Sequence, residues 1–181
     1  DERRRFAQVS HEYLIEQVQH TGVESVGSTN NNGGLNISKS LTLTFNHPVK
    51  ALFWKWGATA TAVTLGGYKA KLQLNGHDRA SEQPELYFTG VQPYECGLKH
   101  NHPSGTALTA FDNGMYSFCL KPGEHQPSGT CNFSRIDNAR LVLSEIAPGT
   151  GNGAAQELNV FALNYNVLRI MSGMGGLAYS N

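Results

Sequence analysis

Apolar side chains recur at every second position over much of the chain, the period of a strand with one buried face. The clearest stretch places Tyr68, Ala70, Leu72 and Leu74 on one side and Lys69, Lys71, Gln73 and Asn75 on the other, which predicts a half-buried strand. Leu35, Ile37, Leu41, Leu43 and Phe45 repeat the pattern with Thr42 and Thr44 opposite, broken only at Lys39. Shorter strands are predicted around Tyr116, Phe118 and Leu120 and around Leu141 and Leu143, each bounded by turn residues. Further runs at 49–56, 86–94 and 157–171 bring the total to about eight strands. Residues 1–7 read as a short helix, with acids before arginines as the helix dipole prefers. The stretch 13–20 fits neither period cleanly and is read as a strand, because Glu16 and Gln17 fall where a helical stripe would continue.

Turn-rich stretches at 28–34, 76–84, 97–114, 122–138 and 148–155 separate these runs. Several exceed hairpin length, which favours Greek-key crossings between two sheets. The expected fold is all-β, an eight-stranded antiparallel jelly-roll sandwich over residues 13–181, with residues 1–12 as a connecting segment carrying the short helix. The last strand is apolar on both sides. Phe161, Leu163, Tyr165 and Val167 occupy one face, and Val160, Ala162, Leu168 and Ile170 the other. One face can join the core, and the second needs a further partner. Phe161, Leu163, Tyr165, Val167, Leu168 and Ile170 are therefore candidate interface residues.

Composition supports assembly and argues against nucleic-acid binding. Among 181 residues, 14 Lys and Arg balance 14 Asp and Glu, so the basic surplus that phosphate neutralisation requires is missing. Only 15% of residues are charged, which suits a surface partly covered by neighbours. Cys96, Cys119 and Cys131 match neither a zinc ribbon nor a CxxC pair and read as reduced thiols, with Cys119 a small core hydrophobe. No signal peptide is expected behind Asp1–Arg5, and the first residue is not Met, so the chain is expected to be part of a longer polypeptide.

Candidate chemistry is sparse. His100 and His102 share a strand face where both could ligate a metal, but the next acid is Asp112, beyond a Pro-Ser-Gly break, so they are read as a polar loop pair. The glycines of 149–153 precede a strand and not the helix that a phosphate loop needs, and Ser10, His11 and Glu12 are mere sequence neighbours. No constellation argues for an enzyme, a cofactor or a metal. Asn36 and Asn132 satisfy the N-glycosylation pattern. Trp54 and Trp56, opposite Phe53, suit either a sugar platform or a bulky core, with the core favoured.

Several segments together carry a specific resemblance: 1–19 (DERRRFAQVSHEYLIEQVQ), 45–50 (FNHPVK), 91–94 (VQPY), 116–122 (YSFCLKP), 123–139 (GEHQPSGTCNFSRIDNA) and 164–181 (NYNVLRIMSGMGGLAYSN). In this order they closely resemble the major capsid proteins of large icosahedral double-stranded DNA viruses of eukaryotes: iridoviruses, phycodnaviruses and marseilleviruses. The resemblance covers essentially the whole chain. It implies the second roll of a double jelly-roll protein and a homotrimeric, pseudo-hexagonal capsomer in a virion shell assembled in the host cytoplasm. Implied partners are its own copies, neighbouring capsomers and minor capsid or cement proteins. Contact with nucleic acid is not implied, and contact with an internal membrane is at most indirect. The most distinctive loop holds His125, Gln126, Pro127, Ser128, Gly129, Asn132, Arg135 and Asp137. Pro127, Ser128 and Gly129 suit a tight turn, and the polar residues after them can hydrogen-bond exposed backbone. The alternative is a carbohydrate-binding jelly roll that would hold a glycan with Trp54, Trp56 and loop histidines.

Overall fold

A computed structural model describes residues 1–27, 37–58, 68–98, 113–146 and 156–179. After a helix α1 (Glu2–Gln8), the chain forms β1 (His11–Gly27), β2 (Ile37–Thr42), β3 (Pro48–Ala58), β4 (Lys69–Leu74) and β5 (His77–Pro84). A π-helical turn (Tyr87–Val91) then runs into α2 (Gln92–Glu95). The second half supplies β6 (Gly114–Ser117), β7 (Cys131–Asn132), β8 (Ala139–Ile146), β9 (Gln156–Met171) and β10 (Met174–Leu177). Every pairing is antiparallel. One sheet runs β1-β9-β3-β6, with β10 on β9 and β7 on β3; the other runs β2-β8-β4-β5.

Alternation explains how the two sheets close on each other. Leu52, Trp54 and Trp56 of β3 and Leu158, Val160 and Ala162 of β9 face Leu41, Ala70, Leu72, Leu141 and Leu143 of the second sheet, and all are buried in one core. Trp54 packs edge-on against Phe88, and its indole Nε1 donates to the Tyr68 hydroxyl at 2.9 Å, which satisfies the one polar atom such a large ring brings inside. Gly114 stands directly below that ring: a Cβ there would lie 2.1 Å from Trp54, so the sequence must leave the position bare. In β8 the inward alternation Ala139, Leu141, Leu143 slips by one residue to Ile146, across an irregular register where Glu145 adopts φ 51. The break read at Lys39 sits on the facing strand at this irregularity.

The all-β sandwich and its short N-terminal helix are present, and ten strands are seen among the described residues where eight were expected. Three strands are additional, β5, read as part of a turn, and the short β7 and β10, while one expected strand, at 86–94, is not one. β5 (HDRASEQP) has no apolar alternation because it is an edge strand with mostly exposed residues, so periodicity is silent there. The predicted strand at 86–94 is helical. Its buried residues, Phe88, Thr89, Gly90, Gln92 and Pro93, gather on one side of a helix, whereas the apolar Leu86, Val91 and Tyr94 of the same run are exposed. The stretch 13–20 lies in a strand, β1.

Candidate functional site

The outer face of the six-stranded sheet is where the chain leaves apolar surface uncovered. Paired residues of neighbouring strands share a face, so Glu16, Val18 and His20 of β1 stand beside Tyr165, Leu163 and Phe161 of β9, with Ala51 and Phe53 of β3 next in line. His20 stacks on Phe161 with ring centroids 4.5 Å apart. Phe53, Phe161 and Leu163 are only half-buried, and Val18 keeps 67% of its surface exposed. A small cleft of about 230 Å³ opens between Phe53, Phe161, Lys55 and Asn113 on this face. Val167, Leu168 and Ile170 continue β9 half-buried, the last two beside Leu177 and Gly175 of β10.

Tyr165 does not join this exposed set, because the chain covers it. β3 shifts register against β9 between Val49 and Ala51, and Lys50 sits at that irregularity. The Lys50 side chain, 1% exposed, turns onto the outer face. Its ammonium donates to Glu16 Oε1 at 2.6 Å and to the Glu124 carbonyl at 2.9 Å, and lies 4.9 Å above the Tyr165 ring. His125 Nδ1 lies 3.4 Å from the same Glu16 oxygen, while the Tyr165 hydroxyl donates to the His125 carbonyl at 3.3 Å. One buried cation thus ties β1, β3, β9 and the 124–125 segment together. The Lys50 hydrogen bond holds the Glu16 carboxyl below its ordinary range. Burial pulls the Lys50 ammonium down, but Glu16 and Tyr165 outweigh it and leave the group above its ordinary value.

The distinctive loop is a covering strap on this latch. His125, Gln126 and Pro127 are exposed, whereas the Ser128 hydroxyl accepts from the Lys121 N–H at 3.0 Å. Gly129 has φ 141, and a Cβ there would lie 2.9 Å from the Phe118 carbonyl oxygen. Asn132 Oδ1 accepts from the Ser134 N–H, and the Ser134 hydroxyl accepts from the His47 N–H, so the short 3₁₀ turn Phe133–Arg135 is tied through its middle residue to its N-cap and to the residue before β3. Between them Phe133 is driven into the core against Phe45 and Phe118. Arg135 and Asp137 are exposed and form no ion pair with each other among the described residues.

Trp54 and Trp56 are 1% and 5% exposed, so neither offers a face to a sugar. Asn132 is exposed with its Oδ1 engaged in the turn. Asn36, His100, His102 and the glycines at 149–153 lie outside the described residues. Among the described residues no group of three or more His, Cys, Asp or Glu could hold a metal ion. Sequence reading missed Lys50, Glu16 and Val18, because their meaning depends on a pairing between residues more than thirty positions apart.

Two antiparallel sheets closed over one core, with a strapped and partly apolar outer face, match the jelly rolls of viral major capsid proteins. The chain belongs to the large eukaryotic DNA virus major capsid protein family, whose sequence model matches residues 2–176. It is 50% identical to the major capsid protein of Pyramimonas orientalis virus, over all of this chain and 46% of that protein. With the major capsid protein of Paramecium bursaria Chlorella virus 1 it shares 40% identity over 99% of this chain and 51% of the other. The crystal structure of PBCV-1 VP54, fitted into a cryo-EM reconstruction of the virophage Sputnik, superposes with a TM-score of 0.76 at 36% identity, covering 99% of this chain and 54% of that one. The chain spans about half the length of these relatives.

Proposed function

We propose that the chain is a non-enzymatic structural unit of a virion shell, the second roll of a double jelly-roll major capsid protein that assembles as a homotrimeric, pseudo-hexagonal capsomer. The observation that carries this reading is the outer face of the six-stranded sheet, where Val18, Phe161, Leu163 and Phe53 form an apolar surface on a family member that spans half the length of its relatives. A roll of a neighbouring subunit would cover that face. The strap at 123–129 then shapes its border, with the Lys50 latch holding the strap's shape. Minor capsid or cement proteins and neighbouring capsomers are further partners, met through surfaces that need only small contacts because the lattice repeats them. Native mass measurement of the capsid protein tests the reading. A trimer at micromolar concentration is expected, with Val18→Lys and Leu163→Lys shifting it towards monomer while the β-sheet circular dichroism persists. A monomeric wild type, or a trimer untouched by both substitutions, contradicts it.

A further inference from the structure

We propose that a notch beside β9, between β3 and β10, is a docking site for an acidic segment of a partner protein, one whose carboxylate stands next to an apolar side chain. Along one side of β9, β3 pairs as far as Asn164 and β10 starts at Leu168, so residues 165–167 have no strand beside them. A bare ladder edge invites a further strand. Here the chain closes the edge with groups of its own. The Tyr165 carbonyl accepts from Asn164 Nδ2 at 3.1 Å, the Val167 N–H donates to Asn166 Oδ1 at 2.7 Å, and the Val167 carbonyl accepts from the Ala178 N–H at 2.8 Å. The gap therefore receives side chains and not a strand, and it is left as a notch of about 490 Å³.

Leu14, Pro48, Val167 and Tyr179 supply the apolar lining of the notch, and Asn132, Ser134 and Arg135 the polar lining. The polar three offer donors. Asn132 Oδ1 is taken by the Ser134 N–H, which leaves the Asn132 Nδ2 amide free, and the Ser134 hydroxyl already accepts from the His47 N–H, which leaves its O–H to donate. The Arg135 guanidinium has only donors, and no hydrogen bond or ion pair engages it among the described residues. No Asp or Glu lines the notch. All three donors sit on the 3₁₀ turn whose Phe133 is anchored in the core, so they are held in place before anything binds.

Such a set matches an anion that only accepts, and a guanidinium takes a carboxylate through two parallel hydrogen bonds. A bare inorganic anion would leave the apolar lining wet, whereas a carboxylate beside an apolar side chain covers both parts. Arg and Tyr are also the residue types that most often anchor contacts between proteins. That the partner is another protein of the shell rests on the function proposed above; the binding chemistry stands without it.

The test titrates the purified protein with a fluorescent peptide, blocked at both ends, that carries one aspartate between two leucines. Saturable binding is expected, with NMR shifts at the Leu14 and Val167 methyl groups. Binding should weaken about tenfold or more with Arg135→Gln, or when asparagine replaces the aspartate. It should weaken several-fold with Tyr179→Ala. Both substituted positions are exposed, so the unfolding midpoint should stay unchanged. Equal binding of the asparagine peptide, indifference to Arg135→Gln, no binding up to about 1 mM peptide, or competition by inorganic phosphate as strong as by unlabelled peptide would overturn the proposal. So would self-association of the protein that Arg135→Gln abolishes, which would make the notch a contact between copies. Native mass is read on the same samples: a monomer that binds the peptide contradicts the capsomer reading alone, and a trimer that ignores it contradicts the notch alone.

Discussion

Gly114 and Lys50 show how much single positions decide here. Gly114→Ala forces a methyl group into the Trp54 indole, and overpacking of this kind costs about 1–3 kcal/mol or more. Chemical denaturation should show the loss, with native-like secondary structure retained. For the latch, the two partners are not equivalent. Glu16→Ala leaves the Lys50 ammonium buried with a carbonyl and a ring, and breaking a buried pair in this way typically costs about 3–5 kcal/mol. Lys50→Met removes the buried charge and fills the space, so its cost should be clearly smaller. Equal losses would show that the pair acts merely as an exposed salt bridge. The sign with pH follows from the shifts. Glu16 is held low, so its contribution is present above the ordinary carboxylate value of 4.5 and fades as pH falls through the lower folded value. Lys50 is held high, so its contribution is complete below 10.5 and fades only as pH rises beyond that. The wild-type advantage over Lys50→Met should therefore shrink in acid and persist through pH 8. None of this was legible in the sequence: Lys50 reads as an ordinary charge in a strand, and only the register irregularity in β3 aims it at Glu16.

At the level of elements, alternation was informative wherever a strand buries one face, as in β4 and β8, and silent where it does not. β5 carries charges on an edge, and β10 is exposed along its length, so neither has a period to read. The helical segment before α2 misleads for a different reason. Across that turn and α2, the exposed apolar Leu86, Val91 and Tyr94 mask the helically spaced Phe88 and Gln92 that are buried. The two readings separate experimentally. In a strand, residues 86 and 88 share a face and both matter; in this helix only Phe88, 1% exposed, packs on Trp54. Phe88→Ala should cost about 3–5 kcal/mol in denaturant unfolding, whereas Leu86→Ser, at a position 60% exposed, should stay within about 0.5 kcal/mol. A large loss at Leu86 in the isolated protein would contradict the helical assignment. The two-faced character of β9 was legible, and its physical meaning is specific. Val160 and Ala162 fill the sandwich, Phe161 and Leu163 remain half-covered, and Tyr165 is sealed by the chain's own strap.

Across the whole molecule the two sheets bury one continuous core, so the sandwich does not need the outer face for its own cohesion. Apolar surface that the core does not use is available for association, and the strap confines it to the part of the sheet around Val18, His20, Phe53, Phe161 and Leu163. Folding and assembly are then separable in sequence space, because substitutions on that face alter association and spare the sandwich. The most direct measurement is a high-resolution cryo-EM reconstruction of the assembled capsomer. The account predicts that Val18, Phe161 and Leu163 are buried against a roll of a neighbouring subunit, with Lys50 still paired to Glu16 beneath the strap. A capsomer in which that sheet face lies open to solvent would contradict it.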